Sequence, residues 1–83
     1  WRDKRGHEVD FLYLRRGSKP IAIECKWSAD NFDPRNLMAF RRHHPGGENY
    51  VVSADIERSF TRKQQDLTVR FVRLETMIKR LTS

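Results

Sequence analysis

Two carboxylates and an amine stand where a strand-forming sequence brings them together. Asp10 lies in the apolar run Val9-Asp10-Phe11-Leu12-Tyr13-Leu14, and fourteen residues later Glu24 lies with Lys26 in Ile21-Ala22-Ile23-Glu24-Cys25-Lys26-Trp27. Val, Ile, Phe and Tyr run almost unbroken through both segments, the composition of strands covered on both faces. Residues two apart on a strand share a face, so Glu24 and Lys26 project together. Charges set in such strands are partly desolvated and need partners, and a metal ion is one. Two hard carboxylate oxygens suit Mg²⁺ or Mn²⁺ and leave coordination positions for water and a phosphate oxygen, with the Cys25 backbone carbonyl as a third protein ligand. Three roles are open to Lys26: orienting the attacking water, helping to deprotonate it, or neutralising charge on the phosphorane oxygens. Asp10, Glu24 and Lys26 are the minimum set for divalent-metal phosphodiester hydrolysis.

That chemistry depends on the register of the hairpin between the two runs. The connector Arg15-Arg16-Gly17-Ser18-Lys19-Pro20 is polar and holds Gly and Pro, as expected for a hairpin tip. Cross-strand partners share a face, so Asp10 meets Glu24 only if paired numbers sum to an even value such as 34. An odd loop centred on a left-handed Gly17 gives that sum, and Glu8 then faces Lys26 as a further candidate ligand. A two-residue Gly17-Ser18 loop gives 35 and puts the carboxylates on opposite faces. The turn chemistry permits both.

The elements that must carry this hairpin follow in order. Asp33 suits an N-cap and Pro34 the first position of a helix running to about His44, with Leu37, Met38 and Phe40 on its apolar side and Arg35, Arg41 and Arg42 outside. Pro45-Gly46-Gly47 ends it, and Asn49-Tyr50-Val51-Val52-Ser53 reads as a strand. Residues 54–66 are highly charged and read as a loop with at most one helical turn. Val69, Phe71 and Val72 suggest a last short strand, and Met77, Ile78 and Leu81 a terminal helix from about Glu75.

The 83 residues suffice for a single small domain spanning 1–83, and their formal net charge of +6 favours polyanionic partners. One cysteine, Cys25, excludes an internal disulfide, and its place in an apolar strand reads as a small buried hydrophobe in a reducing cytoplasm. No apolar run approaches the roughly 18 residues of a membrane helix. The three histidines show no zinc spacing with it, and His7 reads as a surface residue.

Asp10 on one hairpin strand and Glu24-Cys25-Lys26 on the next resemble the motif of the PD-(D/E)XK nuclease superfamily. More narrowly, the Trp1-Arg2 opening, Glu8-Val9-Asp10-Phe11 and the Ile23-Glu24-Cys25-Lys26 strand resemble the nuclease-like domain at the C-terminus of prokaryotic AAA-type ATPases. The likeness is strong over residues 1–53. It implies an α/β fold, a restriction-endonuclease-like mixed β-sheet flanked by helices, here truncated at the N-terminal helix that the superfamily usually supplies. It also implies a cytoplasmic Mg²⁺-dependent DNA endonuclease joined to an ATPase domain on the same polypeptide. The motif's proline is absent before Asp10.

Each residue also has a plainer reading. Glu-x-Lys on a strand is commonly a solvated face or a cross-strand ion pair. Arg15, Arg16 and Lys19 at the hairpin tip and Arg41 and Arg42 on the helix are candidate nucleic-acid contacts, against the plainer reading of solvated basic surface. Trp1 and Trp27 read as core or rim packing. Two function classes therefore stand: the endonuclease, and an inactive basic module for docking, DNA binding or homodimerisation.

Overall fold

A computed structural model describes residues 1–83. The elements run β1 (Phe11–Tyr13), β2 (Ile21–Lys26), a 3₁₀ turn at Ala29–Asn31, α1 (Arg35–His43), β3 (Asn49–Ser53), β4 (Phe60–Gln64), β5 (Leu67–Val72) and α2 (Leu74–Thr82). The strands form one mixed sheet in the order β1-β2-β3-β5-β4. β2, β3 and β5 are parallel neighbours, and β1 and β4 pair antiparallel at the two edges. The expected mixed α/β sheet flanked by helices is present.

Alternation along β2 divides the core in two. Ala22 packs with Val51, Val69 and Phe71 and with Leu37 and Phe40 of α1, whereas Ile21 and Ile23 pack with Tyr50, Val72 and Met77 of α2. The helices therefore cover opposite faces, which explains why β2 and β3 lack a polar face. Each large side chain so buried contributes about 2 kcal/mol of transfer free energy. No helix is long and apolar enough to cross a membrane.

The hairpin takes the even register. Phe11 pairs with Ile23, Leu12 with Ala22 and Tyr13 with Ile21, each pair summing to 34. Gly17 adopts a left-handed φ of 77° in the connecting turn. Strand β1 is shorter than the apolar run, because Trp1 and Val9 bond to each other through Val9 N–H and the Trp1 carbonyl (2.9 Å). Glu8 correspondingly bridges Arg2 instead of lying opposite Lys26. Residues 1–10 contain no helix.

Two further departures have physical causes. Residues 60–64, read as loop because of their charge, form β4, an edge strand that needs only one buried face. Its exposed Thr61, Arg62 and Lys63 suit an edge that must not recruit another chain. The stacked rings of Phe60 and Phe71, 4.7 Å apart, hold it to β5. The other departure is at the end of α1. Arg41, expected outside, folds back so that its guanidinium donates to Asn49 Oδ1 and to the carbonyls of His44, Gly46, Pro20 and Glu48. Gly47 makes room for it: at φ 110°, a Cβ there would stand 2.6 Å from the Pro20 oxygen.

One side chain thus ties α1, the 44–48 turn and the start of β2 to each other. Arg41→Ala is expected to cost about 2–4 kcal/mol by stranding those acceptors, and Arg41→Lys to recover roughly half or less. Urea midpoints at unchanged m check this, and a loss under about 0.5 kcal/mol would contradict it.

Candidate active site

Parallel strands bring their carboxyl ends to one edge of the sheet, where ligands of α/β folds ordinarily bind. Here the end of β2 supplies Glu24, Cys25 and Lys26, and β3 ends beside it, with Lys26 paired to Ser53. Asp10, just ahead of β1, turns its carboxylate toward β2, and its Oδ2 accepts the Cys25 N–H at 2.9 Å. A side-chain oxygen thus replaces a strand-ladder carbonyl at this point, which positions Asp10 beside Glu24 without lengthening β1.

Glu24 lies on the α1 side of the sheet, in register with Val51, and is 2% exposed. Its Oε2 is buried without a hydrogen-bond partner. Burial pushes its carboxyl up to about 7, the Asp10 charge adds to the shift, the Lys26 ammonium opposes it, and Asp33 adds to it again. An unpartnered carboxylate oxygen in that setting is stabilised only by a proton or a cation.

Asp33 is the residue that sequence reasoning placed only as a cap. It does cap: its Oδ1 accepts the Arg35 N–H at 3.0 Å, ahead of a Pro34 whose φ and ψ of −72° and −10° are already helical. Its carboxyl is held below the usual range by hydrogen bonds from Arg35, with a smaller contribution from Lys26. Asp33 therefore shares the field of Glu24 and Lys26. The available signal was that a helix covering the Glu24 face must begin near the end of β2.

The other named residues are dispersed. Glu8 pairs with Arg2, and its backbone N–H donates to Asn36 Oδ1. Arg15 lies over the Tyr13 ring, 5.6 Å from its centroid, and reaches the carbonyl of Leu81. Arg16 and Lys19 are exposed at the hairpin tip, and Arg42 is exposed at the end of α1. Arg41 spends its donors on the fold, as described above. His7 donates its backbone N–H to Asp3, whose carboxylate also contacts His7 Nδ1 at 2.8 Å.

Two expectations at the end of β2 and just beyond it are corrected. Cys25 is exposed, not a buried hydrophobe, and Trp27 is 86% exposed, not packed in core or rim. Both lie where the α2 face runs out: with Val52, Ala54 and Leu74 they line an open cleft of about 520 Å³. Alternation predicted the face correctly, but the cover on that face ends before these residues. Trp1, by contrast, packs edge-on against Phe40 at 5.2 Å.

No group of three or more His, Cys, Asp or Glu side chains is arranged to hold a metal ion. Of the expected ligands, the structure brings the Asp10 and Glu24 carboxylates near each other at the Cys25 end of β2. A small hard ion that keeps most of its waters fits this set, and the orphaned Glu24 Oε2 is the observation that favours it.

Glu24 makes stability depend on pH in an identifiable window. Because its carboxyl sits near 7 instead of 4.5, between those values the folded state keeps a proton that the unfolded chain has released. Metal-free protein should therefore lose on the order of 2 kcal/mol as pH rises from about 4.5 through 7. The lowered carboxyls of Asp33, Glu48 and Asp55 act below that window, where acid weakens the fold. Thermal melts across the range should show the loss in wild type and not in Glu24→Gln; equal slopes would exclude a buried, raised carboxyl.

No curated protein and no solved structure matches the chain. A family model described as a domain of unknown function, DUF4143, matches residues 1–76, which include every strand, all of α1 and the Asp10–Glu24–Lys26 set. The chain belongs to the DUF4143 family.

Proposed function

We propose that this domain is a divalent-metal-dependent DNA endonuclease attached to an ATPase domain of the same polypeptide. The observation that carries the reading is the buried, unpartnered Glu24 Oε2 beside Asp10, a pair of acids that the fold holds together at an energetic disadvantage unless a cation joins them. The PD-(D/E)XK-like spacing of Asp10, Glu24 and Lys26, the even hairpin register and the +6 charge support it. The DUF4143 family is often found in AAA-ATPase-associated proteins, which supports the attachment.

In this reading Asp10 and Glu24 would hold Mg²⁺ or Mn²⁺ with the Cys25 carbonyl, and the ion when bound would supply Lewis-acid polarisation of a phosphate oxygen. The Cys25 N–H fixes the Asp10 carboxylate so that it does not have to be ordered when substrate arrives. Lys26 reaches the same edge, where its ammonium orients the attacking water and offsets charge on the phosphorane oxygens. Hydrolysis adds one water across the P–O bond: its oxygen joins phosphorus, and a proton goes to the leaving sugar oxygen. Asp33 stands near enough to feel the Lys26 charge, which helps hold its own carboxyl below the usual range.

A second reading has its own support. Phe11, Trp27, Leu74 and Ile78 are large exposed apolar residues, which favours a catalytically silent docking, DNA-binding or dimerisation module. Plasmid cleavage by the complete polypeptide separates the two. Endonuclease activity should require Mg²⁺ or Mn²⁺ and fall at least ~100-fold in Glu24→Ala and Lys26→Ala. Absence of cutting with either ion, or variants that cut like wild type, would leave the docking module as the better account.

A further inference from the structure

At the far end of α1 from Glu24 lies a second cleft, of about 970 Å³, walled by the 1–5 segment and the last turn of the helix. Arg2, Lys4, Arg5, Arg42, His43 and His44 line it, and its one acid is Asp3. That acid is already engaged: its carboxylate accepts the N–H groups of Arg5 and His7 and contacts the His7 ring. Arg2 is paired with Glu8. Lys4, Arg5 and Arg42 are exposed and make no ion pair, so three full positive charges face one concavity against the single acid Asp3.

Like charges gathered in this way repel one another unless an anion joins them. Nothing in the fold requires them there: Trp1 closes the floor by packing on Phe40 and His43, and Arg41 by itself ties down the end of α1. The nine residues of α1 put this cleft about 14 Å from the Asp33 end, next to Glu24. Phosphates recur at short intervals along each strand of a duplex, so one strand can reach both the cleft and the acid site.

The geometry points to a phosphodiester-backbone site, in which Lys4, Arg5 and Arg42 hold the DNA strand at a second point, separate from the phosphate at Asp10 and Glu24. The inference rests on the DNA-directed reading but not on cleavage: the cleft binds backbone whether or not the acids cut it. Contacts of this kind carry no sequence preference and set the register of the strand on the protein.

Binding of a ~20-base-pair duplex to the full-length protein, followed by fluorescence anisotropy in EDTA across a salt series, tests this apart from catalysis. Lys4→Gln/Arg5→Gln/Arg42→Gln should weaken binding at least ~10-fold and lower the slope of log K against log salt by about 2–3. A control of equal charge, Arg58→Gln/Lys63→Gln/Lys79→Gln, should change binding less than ~3-fold, since those exposed cations lie outside the cleft. Equal weakening by both triples, or none by the first, overturns the site and leaves only a diffuse field. So does loss of binding to vesicles of anionic phospholipid with duplex binding unchanged. Loss of duplex binding in the first triple, in a protein that never cleaves, upholds the site while the endonuclease reading fails.

Discussion

A carboxylate buried in a sheet with one oxygen unpartnered is a state that the rest of this domain is built to maintain. Glu24 sits on the α1 face of a central strand, where its neighbours along the sheet are Ala22 and Val51, and the next acid, Asp10, is fixed beside it by the Cys25 N–H. Charging the buried Glu24 beside the exposed Asp10 costs desolvation of the one and repulsion between the two. Lys26 offsets part of that cost, and Asp33 adds to it. The arrangement therefore favours a proton on Glu24 wherever no cation offsets the two charges.

The scaffold serves this site through a few decisive contacts. Parallel pairing of β2, β3 and β5 gathers chain ends on one edge, and opposite-face helices remove water from Glu24 while leaving that edge open. The Arg41 guanidinium closes the far end by satisfying carbonyls from both the helix terminus and the start of β2. Ser28 and Ser53 both donate to Asp55, and so does the Ala29 N–H, which binds the turn after β2 to the end of β3. Fixing both strand ends limits how far Lys26 can move from Glu24.

Much of this was legible in the chain because the signals were periodic. The nearly unbroken apolar character of residues 21–27 marked a strand covered on both faces, which β2 is, whereas the same reading of residues 9–14 fails because β1 lies at the sheet edge with Phe11 and Leu14 exposed. Parity around Gly17 reduced the question of the site to one register, which the fold adopts. What misled was cover and context. A strand pattern gives the face of Cys25 and Trp27 but not where the helix above them begins, and both emerge exposed. Charge made β4 read as loop because an edge strand has only one face to bury. Arg41 reads as surface by helical spacing, yet a long side chain can reach carbonyls brought near only by the completed fold. Asp33 carried a clear capping signal that hid its proximity to Glu24.

The most direct test is a carboxyl-carbon NMR titration of Glu24 in the intact protein, first without divalent ions and then with saturating Mg²⁺. The account predicts that the metal-free carboxyl titrates near 7 and that Mg²⁺ moves its midpoint down by at least ~1 unit, because the cation takes the place of the proton. A Glu24 carboxyl that titrates near 4.5 and does not respond to Mg²⁺ would contradict it.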